Sequence, residues 1–138
     1  MAKYTSKIGR INKSDETIYN FLADFNNLKA VIPADKVTDF EATADACQFK
    51  IPGIGQAGLK MIEKEPFKLI KITADGKTPF PFYFWIQLKP IEGEENVTAI
   101  RLTIDAELNA MMKMMVGSHL QKGIDSIVDQ IEIFFNKK

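Results

Sequence analysis

The chain has almost none of the residues from which disulfide frameworks, metal centres and histidine-based active sites are built. Cys47 is its single cysteine and His119 its single histidine. An internal disulfide needs two cysteines, and a metal site built on several thiolates or imidazoles needs more of both residue types. We therefore expect no metal and no cofactor. Cys47 alternates with Phe49 and Ile51 in a strand-like pattern, which predicts a buried, inert thiol.

The sequence also lacks an excess of either charge and any long apolar run. Its 18 basic residues balance 18 acidic ones, so no net field draws the chain to nucleic acid or anionic lipid. No segment approaches the roughly 20 apolar residues of a membrane-spanning helix. The first residues do not resemble a signal peptide. Together with the lone cysteine, this predicts a cytoplasmic protein without a nucleic-acid partner.

Hydrophobic periodicity predicts one α+β domain over residues 1–138, uninterrupted by any linker or repeat. A first strand at 4–13 leads to a helix capped by Ser14, and a short second helix carries Leu28, Val31 and Ile32. Between 36 and 108 the apolar residues alternate with period two, as in an antiparallel meander. The predicted strands cover 36–42, 45–51, 57–64, 68–74, 80–89 and 97–107.

The last segment, 109–138, reads as one long amphipathic helix. Met111, Met112, Met114 and Met115 spread around the circumference of its first turns. A helix that is apolar on several sides must be covered on several sides, so we interpret it as a helix gripped by a curved sheet that can enclose an apolar ligand. The core predicted between sheet and helix consists of Phe82, Phe84, Ile100, Leu102, Ile104, Leu120, Ile124, Ile127 and Ile131.

A glycine-rich segment matches the dinucleotide-binding fingerprint G-x-G-x-x-G at Gly53, Gly55 and Gly58. That motif works only where the glycines open a helix whose N-terminus holds the pyrophosphate. Residues 59–64 alternate like a strand instead. The segment is therefore interpreted as a flexible hairpin loop, and Ile54 at its tip is a candidate for part of a gate.

The remaining polar candidates have ordinary structural interpretations. His119 lies at the edge of the helical stripe without a nucleophile nearby, which favours a solvent-edge histidine. Asp105 and Glu107 occupy the polar face of the last strand, where solvation is the default. Lys113 falls on the apolar stripe. It is interpreted as a snorkelling side chain, and the alternative is a cation at a cavity mouth that meets a ligand carboxylate or phosphate. No catalytic residue is assigned.

The densest aromatic stretch lies at 80–86. Alternation sends Phe80, Phe82 and Phe84 to one face and Tyr83 and Trp85 to the other. One set is expected to pack under the long helix. The other is partly exposed, or forms a contact patch for a protein partner or a second copy in a homodimer.

The order of elements resembles the START-like helix-grip superfamily, also called SRPBCC. This superfamily includes the birch pollen allergen group, the lipid-transfer START domains and the polyketide cyclase/dehydrase group. Three segments of the local sequence resemble its small bacterial stand-alone members: 6–8 in the first strand, 14–24 entering the first helix, and 26–28 closing it. The resemblance covers the whole chain, but these segments are structural and not catalytic.

This resemblance implies a seven-stranded antiparallel sheet wrapped around the last helix, with an apolar cavity between them. The mouth would be framed by 33–36, 52–58, 75–81 and 109–112. Within that framework we predict a ligand site in which the methionines, Ile54 and Phe80 cluster at the mouth as a gate. The predicted ligand-binding residues are Ile54, Phe80, Phe82, Phe84, Ile104, Met111, Met112, Met115 and Leu120.

Three functions compete at this stage. The first is non-enzymatic binding or transport of a small hydrophobic molecule, such as a lipid, an isoprenoid or a polyketide. The second is a cyclase/dehydrase-type enzyme, which would need acid/base groups with shifted pKa values inside the cavity. The third is a protein-interaction module with a closed core. The sequence offers no set of polar cavity residues for the second function, so ligand binding is the leading prediction.

Overall fold

The computed structural model describes residues 2–32, 37–53, 55–76 and 78–137. The strands are β1 (Ala2–Thr5), β2 (Gly9–Ile11), β3 (Thr38–Ala42), β4 (Ala46–Ile51), β5 (Gly55–Glu65), β6 (Leu69–Ala74), β7 (Phe82–Pro90) and β8 (Thr98–Ala106). The helices are α1 (Asp15–Leu22), a 3₁₀ helix (Phe25–Ala30) and α2 (Ala110–Asn136). The strands form one antiparallel sheet in the order β1-β8-β7-β6-β5-β4-β3, and β2 also pairs with β8.

The predicted grip of the sheet on the last helix is confirmed. α2 packs against β1, β2 and β8 at one side of the sheet, while α1 packs against β7. All nine residues of the predicted core belong to one apolar cluster, in which Phe84, Leu120 and Ile127 are partly buried and the other six are buried. The cluster forms because the period-two face of the strands and the three-and-four stripe of α2 meet along their length.

The first strand is split where the sequence predicts one strand, which raises the seven expected strands to eight. The break begins at Ser6, whose side chain replaces part of the strand ladder. Its hydroxyl accepts a hydrogen bond from the Leu102 backbone N–H at 2.8 Å and donates to the Lys7 carbonyl at 2.7 Å. A serine that bonds backbone groups in this way competes with regular pairing, so β1 and β2 are separate strands on the same partner.

The short second helix also differs from its prediction. It is a 3₁₀ helix that begins at Phe25, and the Asp24 carboxylate caps it by accepting from the Asn26 N–H at 2.8 Å. The sequence predicts a helix that carries Leu28, Val31 and Ile32, whereas the observed helix starts at Phe25 and ends at Ala30. The capping aspartate explains the difference, because a side chain that binds the backbone two residues ahead starts a new turn.

Polar side chains of α2 cover the free edge of the sheet. An edge strand presents unpaired backbone groups, and here helix side chains pair with them. The contacts are Gln121 Nε2 to the Thr5 carbonyl at 2.9 Å, the Lys7 N–H to Asp125 at 2.7 Å, the Arg10 N–H to Glu132 at 3.0 Å, the Asn12 N–H to Asn136 at 2.8 Å, and Asn136 Nδ2 to the Arg10 carbonyl at 3.0 Å. This edge ladder, whose contacts run from Gln121 to Asn136, fixes the second half of α2 along the edge of the sheet.

Candidate functional site

Six of the predicted ligand-binding residues, from the middle of the sheet and the first half of α2, belong to the apolar core. The register pairs Phe84 of β7 with Ile104 of β8, next to the pair of Phe82 and Ala106. The Phe80 ring lies 6.1 Å from that of Phe82, centroid to centroid. We call the following set the inner wall, and its members share one apolar cluster: Phe80, Phe82, Phe84, Ile104, Met112 and Leu120.

The other three predicted residues do not join the inner wall in the described structure. The side chains of Met111 and Met115 are 71% and 64% exposed on the first turns of α2. Ile54 lies outside the described residues. The gate in which these side chains would pack against Phe80 stays a prediction.

Three side chains of the inner wall are only partly buried. Phe84 faces inward from a central strand between the buried residues Phe82 and Ile86, yet it is only partly buried. Leu120 and Met112 are partly buried on the opposite side. α2 packs on β1, β2 and β8 and α1 packs on β7, and Phe84 stays partly exposed among the buried residues of the sheet. Partly exposed apolar side chains on the sheet and on the helix are candidates for burying an apolar guest.

Tyr4 is a member of this region that the sequence analysis did not identify. It pairs with Ile104 in the β1–β8 register, so it shares the inner face. A Cβ added at Gly117 of α2 would lie 2.8 Å from the Tyr4 hydroxyl oxygen. The helix needs glycine at that position for the tyrosine to approach. A glycine inside an otherwise well-formed helical stripe was the available signal, since such a glycine costs about 1 kcal/mol unless it has a packing role.

An open cleft lies at the far end of the sheet from α2. The cleft, of about 560 Å³, is lined by Thr38, Lys50, Ile51, Pro52, Gly53, Gly55 and Gln56. It adjoins the glycine-rich segment, where Gly53 and Gly55 have φ values of +82° and +129°. β5 begins at Gly55, so the glycines lead into a strand and offer no helix N-terminus to a pyrophosphate. The hairpin interpretation of this segment is confirmed.

The charged side chains with shifted pKa values lie away from the inner wall. The hydrogen bond from the Arg10 guanidinium lowers the pKa of the Glu94 carboxyl, and the hydrogen bond to Asp129 raises the pKa of Lys7. These side chains are on the surface. Within the described part of the chain, no three His, Cys, Asp or Glu side chains are placed to hold a metal ion.

The outer face of the sheet carries an aromatic patch formed by Tyr83, Trp85 and Lys71. The two rings lie 6.1 Å apart, centroid to centroid. The Lys71 ammonium sits 4.7 Å from the Tyr83 ring and 5.5 Å from the Trp85 ring, within cation–π range of both. Tyr83 is 41% exposed. Tyr83 and Trp85 therefore point away from the inner wall, as the alternation predicts.

Cys47 is buried in β4, and burial raises the pKa of its thiol to about 12, partly offset by a hydrogen bond from the Leu59 backbone. At pH 8 roughly one thiol in ten thousand is then ionised, so native protein should resist a disulfide reagent and react only on unfolding. The pKa of the thiol is about 12 in the folded protein and has its ordinary value of 9.0 in the unfolded chain. Below pH 9.0 the thiol is protonated in both states, so its ionisation does not change the free energy of unfolding. The free energy of unfolding should fall as the pH rises from there towards 12.

Thiol release by a chromogenic disulfide reagent measures this protection. Ser118→Cys adds an exposed thiol on α2 and serves as the control, because one thiol should then react at once and the other only in denaturant. Rapid reaction of Cys47 in the native wild type would contradict the buried position.

The chain is similar in structure to solved proteins over nearly its whole length. An Aha1 dimer from Colwellia psychrerythraea shares 19% identity at a TM-score of 0.75, covering 99% of this chain and 98% of that chain. A protein from Thermus thermophilus shares 15% identity at 0.77, covering 99% and 100%. A norcoclaurine synthase point mutant from Thalictrum, in complex with a transition-state analogue, shares 11% identity at 0.75, covering 99% and 98%.

No protein-family model matches the sequence, and no curated protein matches it. At these identities the structural likeness shows the fold alone, which is a helix-grip α+β fold. Within the described residues, no helix combines the length and apolarity needed to cross a bilayer.

Proposed function

We propose that this helix-grip domain binds a small hydrophobic molecule, of the size and polarity of a lipid, an isoprenoid or a polyketide, between its sheet and α2. The observation that carries the proposal is the inner wall. Its aromatic and aliphatic side chains come from the sheet and from α2 and belong to one apolar cluster, and Phe84, Met112 and Leu120 remain partly exposed. The helix-grip fold supports the proposal, because one structural neighbour is described in complex with a transition-state analogue.

Burial of apolar surface would drive the binding. Each Å² removed from water contributes about 25 cal/mol, so a guest that buries roughly 200 Å² of wall and ligand surface would gain about 5 kcal/mol. Met112 can adapt its shape to the guest because its side chain is unbranched. Met111 and Met115 are assigned to the rim, where they would contact the ligand as it passes.

A fluorescent apolar probe tests the proposal. We expect a naphthalene-sulfonate or fatty-acid probe to bind folded protein saturably, and Leu120→Ser to weaken that binding at least tenfold, because the variant puts a hydroxyl in the wall. His119→Ser is the matched control on the adjacent, exposed position and should leave the affinity unchanged. Near-ultraviolet circular dichroism must show that both variants retain native packing, since partly unfolded chains also bind such probes. No saturable binding by native wild type would refute the proposal.

The outer aromatic patch favours a second role, contact with a second copy of the chain. Tyr83 is 41% exposed beside Trp85, and aromatic side chains of this kind are enriched at interfaces. The Colwellia protein of the same fold is described as a dimer. The homodimer would place the two patches against each other.

Sedimentation at several concentrations measures this association. We expect a dimer in the wild type and a monomer in Tyr83→Glu, because the introduced carboxylates would repel across a two-fold interface. Met114→Glu, at a side chain that is 86% exposed on a different surface, is the control and should stay dimeric. A monomeric wild type, or equal loss of dimer in both variants, would exclude this interface.

A further inference from the structure

Lys113 lies on the same face of α2 as Leu120 of the inner wall. Lys113 precedes Leu120 by seven residues and Ile124 by eleven, so it lies within about 20° of both on the helical wheel. Ile124 is buried and Leu120 partly buried, whereas Lys113 is exposed. The helical face that carries Leu120 and Ile124 therefore continues to Lys113, where the side chain is exposed and ends in an ammonium group.

A hydroxyl group lies one helical turn away on the same face. Gly117 follows Lys113 by four residues, and the Tyr4 hydroxyl oxygen occupies the space next to it. Residues four apart on a helix are neighbours about 6 Å apart at their Cβ atoms. Tyr4 is partly buried, and among the described residues its hydroxyl makes no hydrogen bond. A flexible lysine and this hydroxyl can therefore reach the same small anion.

The surroundings favour an anion at this place. Lys113 forms no ion pair within the described residues. No aspartate or glutamate occurs between Glu107 and Asp125. Asp125 is turned to the sheet edge, where it accepts from the Lys7 N–H and from Gln121. The sheet residues on the inner face beside Tyr4 are apolar, namely Ala2, Phe82, Phe84, Ile104 and Ala106.

We infer that the ligand of the inner wall is amphipathic, an apolar body ending in a single anion that Lys113 and Tyr4 bind together. The Lys113 ammonium neutralises the charge and the Tyr4 hydroxyl donates to a second oxygen, as two charge-assisted hydrogen bonds. A carboxylate, as in a fatty acid, and a phosphate monoester share this chemistry. The inference rests on the proposed function, since the wall must bind the apolar body.

Competition with a neutral fluorescent probe tests the inference, using dodecanoic acid, its methyl ester and dodecyl phosphate below their critical micelle concentrations. We expect the wild type to bind an anionic compound at least tenfold more tightly than the ester. The preference of carboxylate over phosphate, or the reverse, identifies the head group. Lys113→Met should remove the preference while leaving ester affinity within twofold, and Tyr4→Phe should reduce it threefold or more.

Lys122→Met is the matched control, because Lys122 is an exposed lysine on the outward face of the same helix. It should keep the full preference for the anion. Equal binding of acid, phosphate and ester by the wild type would overturn the inference and leave the proposed function intact. Equal losses for anion and ester in Lys113→Met would also overturn it. If the wild type binds none of the three compounds, the proposed function itself fails.

Discussion

Replacement of Ile131 by alanine should lower the free energy of unfolding by about 2 to 5 kcal/mol. Ile131 is 1% exposed in the last third of α2, inside the cluster shared with the sheet. The variant removes three carbon atoms from a packed interior, and the loss combines their transfer from water with the cavity that they leave. Urea unfolding, followed by circular dichroism, measures the change.

Ile133→Ala is the control, with the same chemical change two residues further along the same helix. The Ile133 side chain is 61% exposed, so the expected change is within about 0.5 kcal/mol. The comparison isolates burial, because helix propensity changes equally in both variants. If Ile131→Ala and Ile133→Ala shift the unfolding midpoint equally, the sheet does not hold α2 as described.

Gly58→Ala should also destabilise the fold, by about 1 to 3 kcal/mol. Gly58 lies in β5, and its carbonyl accepts a hydrogen bond from the Asp75 N–H at 2.8 Å. A Cβ added there would lie only 1.9 Å from the Asp75 carbonyl oxygen. The backbone fixes the position of the Cβ, and the oxygen is itself a backbone atom. No side-chain rotation therefore relieves the clash, and the chain at Gly58 must move away from Asp75.

The same substitution at Gly123 should stabilise the fold. A Cβ at Gly123 in α2 would meet no atom within 4 Å, and alanine is favoured over glycine in helices by about 1 kcal/mol. Gly123→Ala should therefore raise the thermal unfolding midpoint, while Gly58→Ala lowers it. A Gly58→Ala variant as stable as the wild type would show that β5 and β6 do not approach as closely as described.

The boundaries of the elements were largely available from the sequence because their signals are local. Ser14 accepts from the Thr17 N–H at the start of α1, and Asn109 accepts from the Met112 N–H at the start of α2. A cap contacts residues two or three positions away, so a short window of sequence contains the whole interaction. The break after Ser6 was not available, since its hydroxyl bonds Leu102, which lies 96 residues further along.

The apolar core around the candidate site was predictable from the sequence, and the contact of Tyr4 with α2 was not. Alternation in β7 and the stripe of α2 placed Phe84 and Leu120 in one cluster, which the structure confirms. Tyr4 was not predicted because its contact with Gly117 joins β1 to α2, two elements far apart in the sequence. When each of two elements contributes one residue to a contact, the sequence shows no repeating pattern from which the contact could be predicted.

The sequence by itself determined the types of the elements and their inward faces, because period two and period 3.6 are properties of the backbone that every residue in an element shares. Only the tertiary structure decided how far α2 lies under the sheet. That position is set by polar contacts such as Asp125 with the Lys7 N–H, made between residues 118 apart. It leaves Lys113 exposed on an inward position and Met111 in solvent, since the burial of a side chain depends on what the rest of the chain places over it.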